Sequence, residues 1–302
     1  MKIDQRPISE DAYERLFEEC GGSFSTHPKV LSLVAQLADI PIKYIGLFVE
    51  GSLLGAMPMW GKNVMLNAPV LRAFDAYRYI DPGHSEIILP LSPALKGDLS
   101  ALGILISPLH SGQITNLTQD KRHGFAFAKP IQSGENRMSK KSRGNRNREW
   151  QKLLSRGAQL HDVRDLSTAE FKNEYARVFT LQRQKPPHGH LFFPVVFETL
   201  HDFVSGKFIA LNDKPIAIQK IYSVNSGGRL CVNFVNSAVA PEYAGLSAGS
   251  ALIYQNILAH EDTANSSGTQ LRYCFGTDRA AYKSIWCYSE PSFYLRKIRP
   301  RR

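Results

Sequence analysis

The sequence predicts a mixed α/β protein of the α+β kind, made of two copies of one helix–hairpin unit joined by a basic helical connector. Three observations predict it. The chain has 302 residues, more than one ordinary core needs and enough for two domains of about 150 residues each. Residues 28–60 read as an amphipathic helix followed by a β-hairpin. The same order returns about 160 residues later, as a duplication would leave it. Composition agrees: 43% hydrophobic and 21% charged residues exclude a disordered chain, a collagen-like fibre and a coiled coil.

In the first copy, Val30, Leu31, Val34, Leu37 and Ala38 recur at helical spacing over Pro28–Ala38, with Ser25 or Thr26 placed to cap the start. Two β-rich runs between Ile42 and Trp60 flank Glu50-Gly51, where glycine supplies the positive φ of a hairpin turn. In the second copy, Val196, Leu200 and Phe203 mark one side of a helix over Val195–Val204. Lys207–Leu211 and Ile216–Tyr222 are its strands, and Asn212-Asp213-Lys214 its turn.

Between the copies, Arg137, Lys140, Lys141, Arg143, Arg146 and Arg148 stand among Ser and Asn. Ser139 caps a helix that runs to Arg156 and stops at Gly157, docked by Trp150, Leu153 and Leu154. Its basic residues spread around the whole circumference, which suits a solvated face, and equally contact with tRNA, DNA or anionic lipid. Arg164–Arg183 is a further helix with Phe171, Tyr175, Val178, Phe179 and Leu181 as its apolar side, broken by Pro186-Pro187 and Gly189. A basic tail, Arg296–Arg302, ends the sequence.

The C-terminal copy carries the chemistry. Leu230, Val232 and Phe234 alternate with Cys231, Asn233 and Val235 as a strand, after the turn Asn225-Ser-Gly-Gly228. A small-residue loop then leads to Ser247, an N-cap candidate for a helix reaching about His260. The N–H groups of Ala248, Gly249 and Ser250 have no partner within such a helix, and Gly249 leaves room for a ligand. Strand, loop and free helix N-terminus together suit a pyrophosphate or a carboxylate. Leu271–Phe275 is a second strand ended by Gly276. Asp278 is placed to cap a helix over Arg279–Trp286, and Ser292–Ile298 is a third strand.

Ser247-Ala-Gly249, Phe275-Gly276 and Tyr282-Lys283, taken in this order of strand and helix, resemble the FemAB-type branch of the GNAT acyltransferase superfamily. Phe24–Pro28, Gly55-Ala-Met-Pro58 and Ser139–Arg143 are similar to the acetyltransferase-like group of cellulose and polysaccharide biosynthesis clusters. Gly21–Pro28 with Pro41–Tyr44 resembles, more narrowly, the Mig-14 family, bacterial proteins linked to antimicrobial-peptide resistance and to the inner face of the cytoplasmic membrane. The resemblance implies two tandem GNAT-like domains with mixed, mainly antiparallel sheets flanked by helices. It implies acyl or aminoacyl transfer to an amine or hydroxyl, from an acyl-CoA or other acyl thioester, or from an aminoacyl-tRNA. By resemblance, Leu230–Asn236, with Asn233 and Val235, pairs with a pantetheine, and Gly245–Ser250 holds a pyrophosphate. Two departures stand out. Glu242 occupies the place of a basic or amide residue and would repel a pyrophosphate. Cys274 precedes Phe275-Gly276 where related chains carry Asp.

Tyr282 is the candidate general acid, as a phenol suits a thiolate or alkoxide leaving group; packing on Trp286 explains it equally. Lys283 is a candidate for binding a phosphate or carboxylate, or a solvated lysine. Asp278 and Glu242 are candidate bases, against helix capping and a solvated loop acid. His188 and His190 in Pro-Pro-His-Gly-His lack a partner at ligand spacing, so no metal is expected.

The segments divide as 1–135 (N-terminal domain), 136–185 (connector) and 186–302 (C-terminal domain). Lys plus Arg is 37 and Asp plus Glu is 27, a formal net charge of +10, which favours acidic partners. No helix-turn-helix pattern points to specific DNA binding. Cys20, Cys231, Cys274 and Cys287 show no CxxC spacing, which fits a reducing compartment. With no signal peptide or spanning segment legible, a cytoplasmic protein, peripheral on the inner membrane face, is expected. Its partners would be an acyl donor and an envelope lipid or polysaccharide precursor. The alternative is a non-catalytic GNAT-fold regulator bound to an anionic membrane surface or nucleic acid.

Overall fold

Two hydrogen-bonded sheets organise the protein, whose computed structural model describes residues 3–66, 68–100 and 105–295. The first sheet is antiparallel and runs β1 (Asp4–Pro7), β2 (Lys43–Val49), β3 (Ser52–Trp60), β4 (Asn63–Val64). The second contains β5 (Leu105–Ile106), β6 (Leu117–Ala128), β7 (Gln159–Asp162), β8 (Lys207–Leu211), β9 (Lys214–Ser226), β10 (Arg229–Val239), β11 (Gln270–Thr277) and β12 (Cys287–Leu295). Its spatial order is β5-β12-β6-β11-β10-β9-β8-β7. Among these strands β10 and β11 run parallel and the other pairs antiparallel. The mixed, mainly antiparallel two-sheet build expected from the sequence is the one observed.

Eight helices flank the sheets among the described residues: α1 (Glu10–Cys20), α2 (Pro28–Ala38), α3 (Ala68–Ala73), α4 (Lys140–Leu154), α5 (Thr168–Arg183), α6 (Phe193–Thr199), α7 (Ala248–Ser266) and α8 (Lys283–Trp286). Helix α7 covers one face of β8–β11, and α5 covers the other face of β9 and β10. Each sheet holds one helix–hairpin unit. Both hairpins turn on two residues of positive φ, Glu50 (51°) with Gly51 (82°) and Asn212 (52°) with Asp213 (57°), the backbone that matches the twist of the flanking strands.

Sheet membership cuts across the three segments drawn from the sequence. β6 lies in the 1–135 stretch, yet it sits between β12 and β11. Its first half is Leu-Thr-Gln-Asp-Lys-Arg-His, and burial begins only at Gly124, so alternation could not reveal it. The main core is likewise shared: Phe24 stacks on Tyr222 with ring centroids 4.1 Å apart, and one apolar cluster joins α1 and α2 to α5, α6 and β9. The tip of the β9–β10 hairpin clasps the end of α1. Gly22 N donates to Ser226 Oγ (3.1 Å), which donates to Gly22 O (3.0 Å). Gly21 and Gly227 both have positive φ, and a Cβ on Gly227 would lie 2.8 Å from Cys20 O.

Several local expectations need correction. His27, not Ser25 or Thr26, caps α2, its Nδ1 accepting from Lys29 N; Thr26 is held instead by Ser23 and Ile88. The helix placed at 195–204 is α6 followed by a tight turn. Leu181 faces outward from α5, 48% exposed, and Leu154 is exposed on α4. The Arg279–Trp286 helix is only the single turn α8, so Asp278 caps nothing; its carboxylate accepts from Gly124 N and from the Ser289 hydroxyl. The basic tail, 296–302, lies outside the described residues.

Candidate active site

Helix α4 packs across α7 and the turn before it. This juxtaposition unites two sets of residues that the sequence listed separately. Arg146, Arg148 and Lys152 of α4 line a pocket of about 310 Å³ with Ser247 and Leu246 at the start of α7. Three cations and one carboxylate, Glu149, thus line a space beside the start of a 19-residue helix, a net positive setting that favours an anion. Arg146 pairs with Glu149 (3.0 Å) and lies over the Trp286 ring (5.3 Å), while its Nε has no partner. Burial pushes the Glu149 carboxyl up despite Arg146 beside it. The other basic residues go elsewhere. Arg137 Nε and an Arg143 amino group both donate to Ile131 O (3.0 and 3.1 Å), and Lys140 and Lys141 are exposed.

The small residues at this corner act differently from expectation. Ser247 has φ +57° and makes no side-chain cap bond. A Cβ on Gly249 would meet Val239 Cγ2 at 3.0 Å, so this glycine lets α7 pack on β10. Gly245 has open space around it. Ala248 is buried, Ser250 half-buried and Glu242 exposed in the preceding turn.

β10 and β11 pair from Arg229↔Gln270 to Asn233↔Cys274 and then part, β10 following β9 through a bulge after Phe234 and β11 following β6. The segment 81–86 lies across this opening. A Cβ on Gly83 would sit 3.4 Å from Phe234 O and Val235 Cα, and one on Gly276 would sit 3.1 Å from His84 Cβ. The segment is tied at both ends. Asn236 Nδ2 donates to Asp81 (3.2 Å), and buried Arg272 grips Glu86 through two bonds (2.6 and 2.8 Å). Val235, one of the two residues implied to meet a pantetheine, therefore meets the protein's own chain; the other, Asn233, is buried, its Nδ2 without a partner among the described residues.

Tyr282 stands just before α8 and is 49% exposed, its phenol raised by partial burial and by the Cys287 thiol. Lys283 Nζ donates to Phe275 O and Thr277 O, both at 2.6 Å, so its ammonium closes the end of β11. Burial lowers it. For Asp278, burial alone would raise the carboxyl; the bonds from Ser289 and Gly124 outweigh it and hold the group below the usual carboxylate range. Burial pushes the Cys274 thiol up to about 12, so it supplies no ready thiolate.

Sequence reasoning missed a buried polar cluster beneath α5. Lys220 on β9 is 1% exposed and stands opposite Asn236 in the register. Its ammonium is 5.5 Å from the centre of the Phe193 ring, 5.8 Å from Tyr222 and 5.9 Å from Tyr175. Among the described residues no carboxylate lies within 4.0 Å of it. Burial lowers it, and only the charge of Asp81 opposes this. The signal was present: Lys220 interrupts an apolar run in phase with Ile218 and Tyr222, the phase that faces the core.

A family model described as Mig-14 matches residues 27–295. No curated protein matches. Among solved structures, FemX is similar over 97% of this chain and 98% of its own, with 10% identity and a TM-score of 0.56, which shows a shared fold. Weaker likenesses are to L-PGS from Bacillus licheniformis (12% identity, 97% and 94% covered, TM-score 0.47) and to a tandem GNAT protein from the clavulanic acid biosynthesis pathway (8% identity, 97% of each covered, TM-score 0.46).

Proposed function

The chain belongs to the Mig-14 family, and from that premise we propose that it is an acyl- or aminoacyltransferase. Its acceptor is an amine or hydroxyl of an envelope component, and the modification contributes to resistance against cationic antimicrobial peptides. The observation that carries this is the pocket where Arg146, Arg148 and Lys152 meet the N-terminus of α7, a seat for the phosphates of an activated donor. Catalysis there is mainly positioning of donor and acceptor, with Tyr282, exposed just before α8, as the candidate acid. The segment filling the β10–β11 opening favours an aminoacyl-tRNA over a pantetheine thioester as donor, since a thioester's arm would need that space.

One observation favours a non-catalytic anion-binding protein instead: Asp278 and Lys283 are both engaged by the fold. Transfer of a labelled amino acid from a charged tRNA pool, or of a labelled acetyl group from acetyl-CoA, to bacterial envelope lipid and peptidoglycan precursors separates the two. Transfer that Arg148→Ala reduces at least tenfold supports the enzyme. Binding of tRNA or anionic vesicles with no transfer from either donor refutes it.

A further inference from the structure

Among the described residues, three groups with protons to give cluster around β9 and β10: the buried Lys220 ammonium, which has only ring contacts, and the Tyr175 hydroxyl and Asn233 Nδ2, whose protons find no acceptor. Asn233 stands opposite Tyr222 in the register, two residues from Lys220, so all three strand residues share one face. Tyr175 reaches that face from α5. Leaving such a donor buried without an acceptor is destabilising, and a charge more so. The rings of Tyr175, Phe193 and Tyr222 soften the cost for the ammonium but offer the hydroxyl and amide protons no acceptor.

We propose that Lys220, Tyr175 and Asn233 form a recognition site for an anionic oxygen group, a phosphate or a carboxylate, with Asp81 as the chain's own neighbouring carboxylate. All three present donors, so the missing partner is rich in acceptors. The aromatic surroundings make a charged contact worth more there than in water. Asp81 is the anion nearest in effect to Lys220, yet its oxygens are committed to Tyr77 Oη (3.0 Å), Gly83 N (2.9 Å) and Asn236 Nδ2 (3.2 Å). It belongs to segment 81–86, so a ligand at the site adds a second anion beside that segment, and removing the Asp81 charge favours binding. That the ligand belongs to the acceptor rests on the transferase proposal; the anion site itself does not.

The test is thermal unfolding of the full chain at constant ionic strength. One arm titrates inorganic phosphate and glycerol 3-phosphate, the other acetate and succinate. The expected result is a saturable rise in melting temperature in one arm, which names the source. Lys220→Met should melt higher than the wild type in the absence of ligand and bind at least tenfold more weakly. Asp81→Asn should bind more tightly, and Arg148→Ala, in the α4–α7 pocket, should leave the shift intact. No saturable shift in either arm, an equal shift in Lys220→Met, or a shift abolished by Arg148→Ala overturns the proposal. Should Lys220→Met fail to fold, Tyr175→Phe decides: weaker binding supports the site and equal binding overturns it. Because melting shifts need no turnover, loss of transfer leaves this site standing, and loss of the shift leaves transfer standing.

Discussion

Acidification should destabilise this protein steeply between pH 7 and 5, through two buried histidines. His110 and His260 are each 4% exposed. His110 Nε2 accepts from Leu89 N (3.0 Å) and its other nitrogen faces Gln113 Oε1 (2.9 Å). His260 Nδ1 faces Asn256 O (2.7 Å) and its Nε2 meets the Ser205 hydroxyl (3.0 Å). Each ring thus donates once and accepts once, as a neutral imidazole does, and burial lowers both to about 4 from 6.5. The folded value lies below the unfolded one, so the unfolded chain binds protons first and stability falls with pH from about 6.5 downward. For the pair this amounts to about 2 kcal/mol at pH 6 and about 4 kcal/mol at pH 5, relative to pH 8. Urea unfolding across this range, at unchanged slope, measures it. The double variant His110→Gln with His260→Gln should flatten the dependence by that amount. Imidazole NMR resonances for either residue that titrate near 6.5 in the folded protein would refute the reasoning, as would an unaltered pH slope in the double variant.

Two further outcomes are expected. Glu86→Gln should destabilise by about 3 kcal/mol, because Arg272 stays buried with only Glu290 (3.1 Å) as its remaining carboxylate; adding Arg272→Met should recover part of the loss, and an unchanged urea midpoint in the single variant counts against the account. Gly227→Ala should lower the melting temperature more than Gly228→Ala, although both have positive φ, because only the Gly227 Cβ runs into Cys20 O at 2.8 Å while Gly228 has open space; equal losses in the two variants would mean that the clasp on α1 contributes nothing.

Elements whose residues alternate or repeat against one partner were legible from the sequence. α2 spans the residues its apolar spacing marks, Pro28–Ala38, and both two-residue hairpin turns fall where the turn residues stand. α4 starts after its Ser139 cap, whose Oγ accepts from Ser142 N. The start of α7 was legible from Ser247, but that Gly249 packs on Val239 of β10 was not, because spacing does not show which side of the helix meets the sheet. Asp278 was read as a cap because sequence spacing cannot show that Gly124 and Ser289 compete for it.

By itself the sequence determined the secondary structure with local signals and the basic connector, because caps, turns and apolar periods act over a few residues; the mainly antiparallel sheets were implied by the family resemblance. Tertiary structure alone decided that α4 brings Arg146 and Arg148 to the start of α7, that β6 enters the second sheet, and that residues 81–86 fill the opening between β10 and β11. It also decided that Lys220 is buried without a counter-ion. These facts depend on contacts between segments tens to hundreds of residues apart, as with Arg272 and Glu86, and such pairings leave no period in the chain for a local pattern to reveal.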